Sequence, residues 1–243
     1  LNNSTYAAPP AALPLLHRIA DSARRLAASP SDADAATASV VAIRQALSMP
    51  PSSRDPLLDS LRTHIQTIDL ATALRNIGHP HLAAAWLELL LALCDRLTDA
   101  GHFVDALAFA RTAAALAARS ATNLDEAPAY ESLANVATVR AFFKMNAASL
   151  LDDALAAAED LLPALGDGPV ARRARLRYLA IKALVELEQD LKFGGNRSSD
   201  RLRQARQLLT AWPAGDDEQH RQSAATEIAT VQNLIERLLP RSD

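Results

Sequence analysis

The densest gathering of side chains able to do chemistry lies between residues 172 and 206. Arg172, Arg173, Arg175, Arg177, Lys182, Lys192, Arg197, Arg201, Arg203 and Arg206 fall there, ten of the 25 lysines and arginines in the chain. Only Glu186, Glu188, Asp190 and Asp200 oppose them. On a helix, Arg172 with Arg175 and Arg173 with Arg177 stand three and four residues apart and form adjoining rows. Such a surface, with Arg201 and Arg203 beside it, could hold an acidic peptide or a phosphate backbone. The bland alternative is a solvated arginine-rich face, because the chain uses arginine throughout and has only Lys144, Lys182 and Lys192 as lysines. Base stacking would need interleaved aromatics, and only Tyr178 and Phe193 are near, so nucleic acid is disfavoured.

The other candidates resolve into structural roles. His79-Pro80-His81 puts two imidazoles at a helix start, but no acidic or cysteine spacing completes a metal site and the proline splays the rings. Asp125-Glu126, Asp152-Asp153 and Asp216-Asp217-Glu218 fall near helix N-termini, where carboxylates favour the positive end of the helix dipole. Gly194-Gly195-Asn196 has neither the preceding strand nor the Lys-Ser/Thr of a phosphate loop. Cys94 is the single cysteine, inside the apolar run Leu90-Leu91-Ala92-Leu93, where a small buried thiol is expected and an internal disulfide is excluded. No nucleophile, base and orienting group converge, so neither a catalytic residue nor a cofactor or metal ligand is expected.

These side chains need elements to position them, and composition says which. Apolar residues make up 49% of the 243, aromatics only 4%, and there are seven glycines. Much of the apolar fraction is alanine, the best helix former, and glycine is too scarce to supply many hairpin turns of β type. Punctuation and period predict ten helices over 13–243, after a flexible lead-in at 1–12. Pro30, Pro50-Pro51, Gly78, Gly101, Pro163, Gly168-Pro169 and Gly194-Gly195 mark their ends. The third is expected to run from Asp55-Pro56 to about Gly78. Short connections make consecutive helices antiparallel, and no segment alternates with period two. The fold class is therefore all-α, one domain over 13–243. An irregular stack of about ten antiparallel helices and a closed helical bundle are the two arrangements that fit.

Leu90, Leu93, Cys94, Leu97, Gly101, Phe103, Ala106, Ala110 and Ala113 stand at the spacing of a helical hairpin. The stretch resembles a tetratricopeptide repeat, in which large apolar residues line the first helix, glycine turns the chain and small alanines admit the second helix closely. The best unit spans 83–118. A fainter echo runs through Phe142, Met145, Leu151, Ala154, Ala158 and Leu161 with Ser149 at the glycine place, and Ala205 could repeat the part of Ala106. The resemblance implies an α-α superhelix whose concave face binds a partner. On that face would lie Glu88, Leu91, Asp95 and Asp99, then Val139, Phe143 and Asn146, an acidic-to-apolar groove suited to a peptide or helix.

The expected function is a non-catalytic protein-interaction scaffold or adaptor. A helical regulatory domain sensing a small molecule is the alternative. A net charge of −3 gives no general pull toward nucleic acid or anionic membrane. The longest apolar run, Leu82 to Leu93, is interrupted by Glu88 and is too short to span a bilayer. With no disulfide to form, an intracellular setting, cytoplasmic or nuclear, is expected. Partner identity and oligomeric state have no signal in the sequence.

Overall fold

A computed structural model describes residues 13–47, 79–215 and 217–239. Nine α-helices occur among them, and no strand. The chain's contacts gather into two compact units, one ending at Leu124 and the other beginning at Asp125. Nine of the ten expected helices are present. The expected third helix and the lead-in at 1–12 lie outside the described residues.

In the first unit, α1 (Leu13–Ala28) and α2 (Ala33–Leu47) form a hairpin, α2 packs on α3 (Pro80–Asp99), and α3 on α4 (Phe103–Ser120). The α1–α2 turn follows from Pro30 and Asp32. The Asp32 carboxylate accepts from the Ala35 backbone N–H at 2.8 Å and from Arg25 at 3.0 Å, which caps α2 and ties it to the end of α1. Those bonds, the Ala35 one foremost, hold the Asp32 carboxyl below its ordinary pKa. Pro80 occupies the first turn of α3, where its missing N–H leaves no gap in the ladder. Because α3 is packed by α2 as well as α4, its core residues run around more than one face: Trp86, Leu87, Leu90, Leu91, Cys94 and Leu97 are all buried. The alanines of α4, Ala106, Ala110, Ala113 and Ala117, are buried too and let the helices approach closely. Arg96 donates to the carbonyl of Leu47 at 2.8 Å, tying α3 to the last described turn of α2.

The α3–α4 turn is a Schellman motif. Gly101, at φ 83°, donates to the Thr98 carbonyl, and His102 donates to that of Leu97 at 2.9 Å. The second unit repeats the device between α5 (Ala127–Lys144) and α6 (Ala148–Asp160). There Asn146, at φ 55°, donates to Phe143, and Ala147 donates to Phe142 at 3.0 Å. The left-handed residue is thus Asn146, not the Ser149 that the repeat spacing suggests. Asparagine tolerates that backbone region better than other residues bearing a Cβ.

A short 3-10 turn (Leu162–Ala164) follows α6, and Pro169 opens the long α7 (Pro169–Phe193). That helix is the axis of the second unit, packed by α5, by α8 (Arg197–Thr210) and by α9 (Glu218–Leu238). One side of it joins Leu176, Ala180, Ala183 and Leu187 to Leu202 and Ala205 of α8 and to Ala224, Ile228, Val231 and Ile235 of α9. Its other side joins Tyr178 and Ile181 to Val136 and Val139 of α5 and Ala158 of α6. With core on both sides, α7 has little polar face left for solvent. That is why its arginines do not form one.

Candidate functional site

The basic concentration is almost entirely consumed inside the second unit. Arg173 is buried, with a guanidinium nitrogen 3.3 Å from Nδ1 of His220 on α9. The neighbouring Asp217 carboxylate lies 3.5 Å from the other ring nitrogen of His220. Arg177 is only 3% exposed, and its Nε sits 3.4 Å from Glu227 of α9. Arg175 donates to the Gly166 and Leu165 carbonyls and so pins the loop before α7. Arg172 lies 6.0 Å from the centre of the Trp212 ring, in cation–π range. Lys182 bridges Glu159 and the Tyr178 hydroxyl, each at 2.9 Å. Burial, and after it the adjacent Glu159, push the Tyr178 phenol far above its ordinary pKa, so it stays a neutral hydrogen-bonding group. Arg201 reaches Glu186 at 3.2 Å and Arg203 reaches Asp200 at 2.8 Å. The arrangement can hold α7, α8 and α9 in register.

Asp190 and Asp217 are likewise engaged. Asp190, 4% exposed near the end of α7, accepts from the Ser198 hydroxyl at 2.6 Å, the Ser198 N–H at 2.8 Å and the Arg197 N–H at 3.3 Å. It closes the first turn of α8 from outside the helix. Burial alone would raise its pKa, but the hydrogen bonds from Ser198 and Arg197 outweigh burial and leave it lowered. A Cβ on Gly195, whose φ is 143°, would stand 2.8 Å from an Asp190 carboxylate oxygen, so the glycine loop exists to admit that cap. Asp217 performs the same service for α9, accepting from the Gln219 and His220 N–H groups. Asp152 and Asp153, expected at a helix start, fall in the second turn of α6 and are exposed.

The residues expected on a concave face stand in different environments within their own units. Leu91 and Val139 are core residues, at 0% and 1% exposure, because α3 and α5 each pack against two neighbours and have no free apolar face there. Glu88 and Asp95 are half-buried on α3 and Asp99 is exposed at its end. Phe143 is half-buried, and Asn146 makes the left-handed turn. The first four belong to one unit and the last three to the other. His79 and His81 are exposed around Pro80, and no cluster of three metal-ligating side chains occurs among the described residues.

A concave surface does exist, in a place the sequence does not advertise. Between α8 and α9 runs an open groove of about 700 Å³. Leu202 and Ile235, at the outer edge of the core, form its floor. Arg203, Arg206 and Gln207 wall it on the α8 side, Gln232 and Glu236 on the α9 side. Positions 199, 202, 203, 206 and 210 share one face of α8 by helical spacing, so the wall is continuous. Its surface is mostly apolar, supplied by the floor and by the aliphatic stems of these long side chains. The same two helices carry exposed Leu208, Leu234 and Leu238. The signal for this groove is faint, since a wall residue looks like any solvated polar residue until the second helix is in place.

No protein-family model, curated protein or solved structure matches the chain. No described helix is long and apolar enough to cross a membrane.

Proposed function

We propose that the chain is a non-catalytic protein-interaction module, an adaptor that takes a peptide or helix of a partner protein in the α8–α9 groove. The observation that carries this is the groove's form. Its volume would suit a small molecule, since such sites run from roughly 300 to 1,000 Å³. But a small-molecule site buries most of its ligand, and this one is open, floored by aliphatics and walled by long flexible polar chains. Those are the features of helix-in-groove recognition. The carboxylates with lowered pKa, Asp32, Glu159, Asp190 and Glu218, all have capping or ion-pairing partners, which supports a structural rather than a catalytic use for them.

The finer architectural reading, a tetratricopeptide-like stack, is supported by the α3–α4 hairpin with its glycine turn and buried alanines. An intracellular setting is the companion proposal, supported by a lone cysteine that is buried in α3.

The test is a pull-down with wild-type protein and with Gln207→Trp, which fills the groove from an exposed position. Partners retained by the wild type and lost by a variant with unchanged melting temperature support the reading. Partners retained equally by both remove the groove from it. A metabolite that raises the melting temperature, with no protein recovered, favours the small-molecule alternative.

A further inference from the structure

We infer that the occupant of the α8–α9 groove is an acidic amphipathic helix, its carboxylates lying along the α8 wall. The inference rests on the groove being the partner site and adds what the partner must look like. It follows from accounting for the cations between residues 172 and 206. Arg172 stacks over Trp212, Arg173 meets His220, Arg175 binds loop carbonyls, and Arg177 pairs with Glu227. Lys182 pairs with Glu159, Lys192 with Glu188, and Arg201 with Glu186. Arg197 reaches the Gln189 side-chain carbonyl at 3.3 Å. Arg203 holds Asp200 through an exposed pair one helical turn apart, a contact that solvent makes easy to exchange.

Arg206 is the exception. It is exposed, it lines the groove, and no ion pair forms on it among the described residues. Arg206 thus places a positive charge with no ion pair among the described residues on one wall of an open, mostly apolar groove. On the opposite wall Glu236 is engaged by Gln232 at 2.7 Å. A helix laid in the groove meets an apolar floor, a positive wall at α8 and a negative wall at α9. The floor supplies affinity for a leucine stripe, and the unequal walls select an acidic flank and set the helix's orientation.

The experiment uses the full chain and two fluorescein-labelled designed helical peptides, each about five turns long with the same leucine stripe. One carries glutamates on the flanks and the other lysines. At low ionic strength the glutamate peptide binds at least about fivefold more tightly, and the advantage shrinks as salt is added. Arg203→Glu with Arg206→Glu, both exposed positions, reverses the preference. Equal binding of the two peptides, or a preference that survives the charge reversal, overturns the acidic partner. If in that case Gln207→Trp still blocks both peptides, the groove reading stands and only the charge selection falls. Failure of both peptides to bind overturns the acidic-helix occupant as well. Loss or retention of cellular partners by Gln207→Trp then decides the groove separately.

Discussion

Arg177 and Arg203 look alike in the sequence, two arginines in one basic run, yet their environments set their energetic weight far apart. Arg177 has a side chain 4% exposed and faces Glu227 across the α7–α9 contact. Removing one partner of a fully buried pair costs about 3–5 kcal/mol, and the 22% exposure of Glu227 puts this pair at the lower end of that range. Arg203 and Asp200 are both more than half exposed, and pairs of that kind contribute about 0–1 kcal/mol. Arg177→Ala is therefore expected to lower the unfolding free energy by about 3 kcal/mol, and Arg203→Ala by less than about 0.5 kcal/mol, as read from urea midpoints at constant slope. Equal effects of the two would contradict the burial that separates them. That the basic run exists is legible from residue types alone. Which members are buried is not, because burial depends on which face of α7 meets α9, and helical spacing leaves that choice open.

At the scale of elements, the helices are held by their ends as much as by their faces. Asp190 caps α8 from the end of α7 through two backbone N–H groups and the Ser198 hydroxyl, across the Gly194-Gly195-Asn196 loop. Asp190→Asn keeps the shape but removes the charge, and is expected to destabilise the protein by about 2 kcal/mol at neutral pH. The pH dependence has a definite sign. A carboxyl whose folded pKa lies below its ordinary 3.8 contributes stability that is complete above that value and is lost as pH falls through the folded pKa. The difference between wild type and Asp190→Asn should hold from neutral pH to about pH 4 and vanish in stronger acid, measured as paired melting temperatures across that range. A difference that persisted unchanged into strong acid would mean the carboxylate charge is not what caps α8. The sequence marks this place as a glycine loop and gives its turn geometry as sufficient reason. The carboxylate lies back in the preceding helix, so only the fold shows that Gly195 makes room for it.

On the scale of the whole chain, contacts divide at Leu124 and Asp125. The second unit has complete cores of its own, built on both sides of α7 from residues of α5 to α9 alone. A fragment of residues 125–243 is expected to fold by itself, with helical circular dichroism and one cooperative thermal transition, since that length suffices for a domain. A fragment with a disordered spectrum would show that this unit depends on the other. The groove lies wholly within the second unit, between α8 and α9.

The all-α class, nine of the helices and most of their ends were determined by the sequence itself. Alanine, proline and glycine act through local backbone preference, which needs no distant partner to be read. Asp32 and Asp217 could be assigned as caps for the same reason, since a cap and its helix are neighbours in the chain. The tertiary structure alone decided that Leu91 and Val139 face inward, that Asn146 and not Ser149 turns the α5–α6 hairpin, and that the basic run is spent on internal partners up to Arg206. It also decided where a concave surface opens. Those outcomes depend on how many neighbours each helix acquires. A helix with one neighbour keeps a polar face, whereas α3, α5 and α7 have two or more and bury residues that spacing alone would leave in water.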